Sequence, residues 1–376
     1  MVDRIRKMDK GIFLISLLLM GFGIVFVYSS SFAIAQQKFG GSDFFLARHI
    51  IRALLALVCF FVFLMIDYHS LGRYANITYV IAVVLLIYTL TIPDSQAING
   101  AKRWAHIGFF RFQVSEFARM ALILVLALQI EKFGDRIREG SVFLQQLIKI
   151  SILCGLIILE PDFSTAVIIG SVGICLLFVA GAKILHIGGI VLAFIPVTIL
   201  AVITSPYRLQ RFMGFVEMSS NTDGIAYQTY QSLIGLGHGG LLGVGLGQGE
   251  QKYFYLPEPH TDFVFSILGE EVGFVGLCIV FLLFGILLYR GMRIASRAPD
   301  KMGQSMAFGL TLVPGLYVIL HTFVNTGIAP TTGVPLPFLS YGGMSLIFTM
   351  SSMGILLNIS SQLTIERKPL PKRKRV

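Results

Sequence analysis

Charged side chains are scarce in this sequence: Asp, Glu, Lys and Arg make up 13% of its 376 residues, while hydrophobic residues make up 55%. An ordinary soluble domain carries about 25% charge, so the shortage excludes a chain that lives wholly in water. Cysteine is scarce too. Cys59, Cys154, Cys175 and Cys278 all lie in apolar runs with no CxxC or Cys/His spacing, where a thiol acts as a small hydrophobe, so neither disulfides nor structural zinc are expected. The seven histidines form no HExxH or paired spacing, and no GxSxG elbow is present, which removes the support for histidine-led catalysis or a serine nucleophile. Gly235, Gly237 and Gly240 match GxGxxG, but without a βαβ pattern or a GK[ST] they mark no nucleotide site. They are read as backbone that allows close approach to a ligand or another segment. Neither solenoid repeats nor the inverted halves of many transporters are evident.

What is present is a series of apolar runs long enough to cross a hydrocarbon core of ~30 Å. Hydropathy places ten helices near 11–29, 47–66, 75–92, 114–130, 143–159, 163–181, 185–204, 263–289, 304–327 and 342–361. The sequence is therefore read as an all-α polytopic membrane protein. Ala33-Ile34-Ala35 imitates a signal-peptidase site, yet the run before it exceeds the ~7–15 residues of a signal core, so it is expected to stay as an anchor. With the N-terminus inside, the inner segments and the basic tail collect about two-thirds of the 30 Lys and Arg, as the positive-inside rule requires. Both termini are then expected in the cytoplasm. The tail "ERKPLPKRKRV" has the composition of a nucleic-acid patch, but beside a last span it is read as an orientation determinant touching anionic lipid, with no nucleic-acid partner.

This topology exposes three outer segments: Pro93–Gln113, the long connection Ser205–Thr261 between helices 7 and 8, and Gly327–Tyr341. The long connection is rich in aromatics, which argues against disorder and for function. At its end, "YLPEPHTDFVFSILGEE" places Asp262 where the loop enters an apolar helix. Partial desolvation there would make the carboxylate a better proton acceptor; it equally fits an N-cap, and the two roles are compatible. Ser266, Gly269 and Gly273 share its helical face, a small and polar stripe suited to a cavity wall. Glu116 and Arg119, three apart, are read mainly as a structural pair that also has the position to line a cavity. Asp162 in "LEPDFSTA" suits either a helix cap or a cation ligand. The outer cations Lys102, Arg103, Arg208, Arg211 and Lys252, with Glu258 and His260 beside Asp262, suit an anionic lipid headgroup.

The pieces "NGAKRW", "FQVSEFARMALIL", "LEPDFSTA", "YRLQRFMGF", "YQSLIGLGHGGLLGVGLG", "FYLPEPHTDFVFSILGEEVG" and "GVPLPFLSYGGMS" occur in an order that resembles the SEDS family (shape, elongation, division and sporulation) from the first span to the last. "YRLQRFMGF" and "GVGLGQGEQKYFYLPEPHTDF" look more like its division members than its elongation members. The chain departs from the family pattern at Val114, Arg119, Ser164 and Met344, and the charged set is intact.

The resemblance implies a single membrane domain over 1–376, with a large external loop over 205–261 and a basic cytoplasmic tail over 362–376. It implies a peptidoglycan glycosyltransferase that polymerises lipid II on the outer face of the bacterial inner membrane, in division; a lipid II flippase and a lateral-wall polymerase are the alternatives. Asp262 matches the family's essential aspartate. Glu116, Arg119 and Asp162 match its SEFAK and EPD segments and, with Ser266, are expected to support the cavity. Lys102, Arg103, Arg208, Arg211, Lys252, Glu258 and His260 are the expected substrate-binding set. A class B penicillin-binding transpeptidase and other division proteins are the implied partners. A divalent cation (Mg2+ or Mn2+) is a candidate cofactor, although no protein cage for one is recognisable, its ligands are unassigned, and no nucleotide is expected.

Overall fold

The computed structural model describes residues 2–92, 104–107, 110–216 and 225–363. Lys102, Arg103 and the basic tail beyond residue 363 lie outside them. The chain begins with a short α1 (Val2–Lys7) and continues through α2 (Lys10–Phe39), α3 (Phe44–Met65), α4 (Tyr68–Arg73) and α5 (Ala75–Leu90). A hairpin, β1 (Trp104–Ile107) and β2 (Phe110–Gln113), pairs antiparallel with Trp104 opposite Gln113. Then come α6 (Val114–Phe133), α7 (Gly140–Leu159), α8 (Phe163–Val179), α9 (Ile184–Ile203), α10 (Pro206–Val216), α11 (Ile225–Gly239), α12 (Val264–Arg297), α13 (Lys301–Asn325) and α14 (Gly343–Ser361).

Ten of these helices coincide with the ten expected spans. Seven are long and apolar enough to cross a membrane; α5 and α8 are apolar but shorter, and α6 carries Glu116 and Arg119 within its apolar stretch. The chain is a multi-pass membrane protein. Helix α2 runs unbroken through Ala33–Ala35, as an anchor does.

Helices α6, α13 and α14 bury most of their side chains and form the centre of the bundle. Helix α9 is the opposite case and buries none. Its nearly continuous apolar sequence needs no protein partner in a solvent as apolar as lipid.

Two features were absent from the sequence reading. The long connection over Ser205–Thr261 is not one irregular loop, because α10 and α11 occupy much of it. Helix α12 is also broken at Gly273, whose φ of 66° and ψ of −173° leave the helical region. The glycine-rich turn after α11 closes the break: Val244 and Gly245 donate to the Glu270 and Glu271 carbonyls at 3.0 Å each, while Phe274 and Val275 donate to the Gly240 and Leu241 carbonyls at 2.9 and 3.1 Å. Backbone groups freed within the bilayer must find partners inside the protein, and this turn supplies them. A Cβ on Gly243 would fall 2.3 Å from the Glu271 carbonyl oxygen. Of the three glycines read from the sequence, Gly235 allows close approach of another segment, with Gln251 Cγ 2.9 Å and Ser266 Oγ 3.0 Å from a Cβ placed there, whereas Gly237 and Gly240 have nothing within 4 Å.

Candidate active site

Asp262 is half-buried and stands two residues before the first turn of α12. It is not the N-cap: Phe263 holds that position and makes no side-chain capping bond. What fixes Asp262 is Asn325, the last residue of α13. Its Nδ2 donates to the carbonyls of Asp262 (3.1 Å) and His321 (2.9 Å), and its Oδ1 accepts from the Ser266 N–H (3.3 Å). Ser232 on α11 donates its hydroxyl to the Asn325 carbonyl at 2.8 Å, and Ser266 donates to the Ser232 carbonyl at 2.7 Å. One buried asparagine, through its side-chain amide and its backbone carbonyl, therefore joins α11, α12 and α13 beside Asp262. Asparagine at a helix C-terminus carries no distinctive sequence signal, and Asn325 was missed for that reason.

The Ser266, Gly269 and Gly273 stripe does not line a cavity. A Cβ on Gly269 would meet Leu236 Cδ2 at 2.4 Å, and one on Gly273 would meet Gly243 N at 2.3 Å. The small residues admit α11 and the glycine-rich turn, which fill the space the sequence reading left open.

Three separate segments converge on residues 331–333. Arg211 on α10 donates to the Thr331 carbonyl (3.0 Å), Ser164 in the first turn of α8 to the Thr332 carbonyl (3.5 Å), and a Cβ on Gly333 would lie 3.5 Å from Asp262 Oδ2. The same segment is stitched to the Asp262 loop further on, where Ser340 donates its hydroxyl to the Thr261 carbonyl (2.7 Å) and Tyr341 its N–H to the His260 carbonyl (2.8 Å). The His260 ring is buried against Phe45 and Tyr341. Burial, with the nearby Lys38 charge, holds its pKa down at about 4. Glu258 is exposed, and its carbonyl accepts the Thr261 and Asp262 N–H groups.

Asp162 caps α8 and accepts the Thr165 N–H at 3.4 Å, the cap among the two roles read for it. Glu116 and Arg119 are buried and paired at 2.5 Å, Tyr317 on α13 donates to Glu116 at 3.3 Å, and the guanidinium lies 5.0 Å over the Tyr317 ring. This ties α6 to α13 behind the site. Arg208 donates to the Ala201 (2.9 Å) and Ile158 (3.1 Å) carbonyls at the ends of α9 and α7, and burial pulls its pKa down.

Lys252 requires correction. It was expected to face a headgroup, yet it is fully buried, with Nζ 2.6 Å from Glu271 Oε1 and 3.3 Å from Ser29 Oγ, while Ser29 also donates to Glu271. The aromatic, lysine-bearing loop segment folds inward here because a buried lysine must find its counter-charge, and Glu271 supplies it. Neighbouring Glu270 is equally buried and accepts the Glu250 (2.8 Å) and Gln251 (3.2 Å) N–H groups and a contact from His238 (3.1 Å). That contact raises the pKa of His238.

Among the described residues no three His, Cys, Asp or Glu side chains gather as a metal cage, so no chemistry is assigned here to a bound cation.

Comparison with known proteins agrees with this architecture. The family model described as "Cell cycle protein", covering FtsW, RodA and SpoVE, matches residues 9–365. The "Probable peptidoglycan glycosyltransferase FtsW" of Trichlorobacter lovleyi is 39% identical over 363 residues, covering 96% of this chain and 95% of its own. The "Stage V sporulation protein E" of Bacillus subtilis is 38% identical over 355 residues, covering 94% and 96%. Among solved structures, a chain from a study of "Structural coordination of polymerization and crosslinking by a peptidoglycan synthase complex" superposes with a TM-score of 0.77 at 25% identity, covering 94% of this chain and 97% of its own. The rod shape determining protein RodA of Thermus thermophilus superposes with a TM-score of 0.69 at 25% identity, covering 94% and 96%. The match spans every helix that builds the site, from the anchor α2 to the central α14, and the chain belongs to the FtsW/RodA/SpoVE family.

Proposed function

We propose that this protein is a peptidoglycan glycosyltransferase that polymerises lipid II on the outer face of the inner membrane, with Asp262 as its general base. The observation that carries this reading is the seating of Asp262. A half-buried carboxylate stands at the head of a membrane helix, its backbone clamped by Asn325 and its side chain beside Gly333, where three separate segments meet. Asp262 would take the proton of the acceptor sugar's 4-hydroxyl as that oxygen bonds to the donor's anomeric carbon. The bond from that carbon to the lipid pyrophosphate breaks, and the configuration inverts. Charge then develops on the departing pyrophosphate, and preorganised cations stabilise it. Arg211 and Arg208 border this region, and Lys102 and Arg103 remain candidates from outside the described residues, while Lys252 is withdrawn from that set.

The relatives named FtsW support a role in division, at the septum, and the distribution of Lys and Arg supports both termini in the cytoplasm. The similar chain from a peptidoglycan synthase complex supports a class B penicillin-binding transpeptidase as partner. The test is a glycan-ladder assay with lipid II, the partner and a divalent ion. General-base catalysis contributes roughly 10² to 10⁴ in rate, so Asp262→Asn should insert, bind the partner and lose nearly all ladders. Wild-type rates from that variant would refute the assignment. Ladders from neither protein, with lipid II translocation in liposomes, would favour a flippase instead.

A further inference from the structure

The outer end of α3 carries charge that the described residues leave unbalanced. Arg48 and Arg52 stand one turn apart on one face, a spacing at which like charges disfavour a helix. Arg48 lies 3.9 Å over the Phe44 ring and Arg52 4.8 Å over the Tyr341 ring. Arg52 also presses against the first turn of α14, since a Cβ on Gly343 would fall 2.5 Å from its Cδ, 2.6 Å from Nε and 3.0 Å from Cζ. A helix N-terminus is itself partially positive and favours anions, so a guanidinium is the wrong charge there. The N-cap Gly342 has no side chain to accept the free N–H groups, and the first turn of α14 holds no acidic residue. Neither arginine pairs with a carboxylate among the described residues.

A second observation is independent of the helix end. His49, three residues before Arg52 on the same face, is fully buried with its ring 5.9 Å from Tyr341. Neither ring nitrogen has a hydrogen-bond partner among the described residues. A buried polar group without a partner is costly, and this one stands three residues from Arg52 on α3. Guanidinium, imidazole and unsatisfied helix N–H groups around one aromatic ring are the components of a phosphate site. The adjoining face of α3 exposes Ile50, Ile51, Leu54 and Leu55, so a phosphate carried on a lipid reaches the site from the bilayer. The site sits on the same membrane face as Asp262, because Tyr341 donates to the His260 carbonyl.

We propose that Arg52, His49 and the first turn of α14 form a binding site for the phosphate of an outer-leaflet lipid. Two lipids carry that group: a polyprenyl pyrophosphate carrier and a bulk anionic phospholipid. Assignment to the carrier rests on the polymerase reading above, whereas the site itself does not.

The test holds the full-length chain in phosphatidylcholine nanodiscs and measures retention of undecaprenyl pyrophosphate and of phosphatidylglycerol by native mass spectrometry. Arg52→Gln should weaken one of them roughly tenfold, the effect of losing a charge-assisted hydrogen bond, and Arg52→Lys should weaken it less. Gly343→Ala should also weaken it, because the new methyl displaces the guanidinium, and it carries the test if Arg52→Gln fails to fold. A loss confined to the pyrophosphate identifies the carrier, and one confined to phosphatidylglycerol identifies a bulk lipid. Undiminished retention of both by the variants, or no retention by the wild type, overturns the proposal. No turnover is measured, so an absent polymerase activity would leave this result standing.

Discussion

Replacing Lys252 by Met tests whether this residue secures the loop or serves the substrate. Its ammonium and the Glu271 carboxylate are both fully buried and 2.6 Å apart, with the Ser29 hydroxyl bonded to the same carboxylate. Removing one partner of such a pair leaves a desolvated charge and costs about 3–5 kcal/mol. Ser29 offsets part of that by continuing to donate, so the lower half of the range is expected. A kcal/mol lowers the melting temperature by about 2–4 °C in domains of 150–250 residues, so Lys252→Met should melt on the order of 10 °C below wild type in a detergent-solubilised thermal unfolding assay. Combining it with Glu271→Gln removes the orphaned charge while keeping an acceptor for Ser29, and should recover most of the loss. That recovery is the coupling a double-mutant cycle isolates. A Lys252→Met protein that melts like wild type but no longer binds lipid II would show that the lysine meets the substrate, and the argument from burial would be wrong.

His260 gives a pH signature. Its pKa is about 4 in the folded chain against about 6.5 in the unfolded one, so the unfolded state binds the proton first and stability is complete above pH 6.5. It then falls as pH drops towards 4, by about 2 kcal/mol at pH 5; His260→Gln should flatten this part of the melting-temperature profile, and an unchanged slope would contradict the assignment. Asn325→Leu removes the clamp on the Asp262 carbonyl and should lower kcat roughly tenfold or more with little change in KM, since misplacement by about 1 Å is enough for such a loss; a pure KM effect in the ladder assay would exclude a positioning role. Gly243→Ala combines a φ of +79° with a 2.3 Å approach to the Glu271 carbonyl, so thermal unfolding should register a loss of roughly 2 kcal/mol or more. Gly237→Ala, inside α11 with nothing within 4 Å, should instead stabilise by roughly 0.5–1 kcal/mol, and similar shifts for both glycines would refute this contrast.

The spans were legible because each is a long apolar run, and lipid demands such runs wherever the backbone crosses it. Asp262 was legible as an ionisable group beside one of them. The fate of Lys252 was not, because a lysine in an aromatic loop reads as exposed until a carboxylate 19 residues away folds onto it. The break at Gly273 was hidden for a related reason. Its replacement hydrogen bonds come from residues 240–245, and no local pattern announces a partner that distant. Likewise, α10 and α11 were obscured by the glycines and polar residues through which they join the bundle.

The break in α12 also bears on how the protein meets membranes of different thickness. An unbroken helix of 34 residues would extend about 51 Å at 1.5 Å per residue, well beyond a ~30 Å hydrocarbon layer, and such helices accommodate a thinner bilayer by tilting. A rigid rod would carry any tilt along its full length to Asp262. Here the portion before Gly273 is riveted to α11 and α13 through Ser232, Ser266 and Asn325, while the portion after it is held by other partners, with Gly291 against Thr311 of α13 and Arg290 paired with Asp9. The two portions therefore need not share one axis, and the position of Asp262 is set by α11 and α13 rather than by the direction of the longer portion.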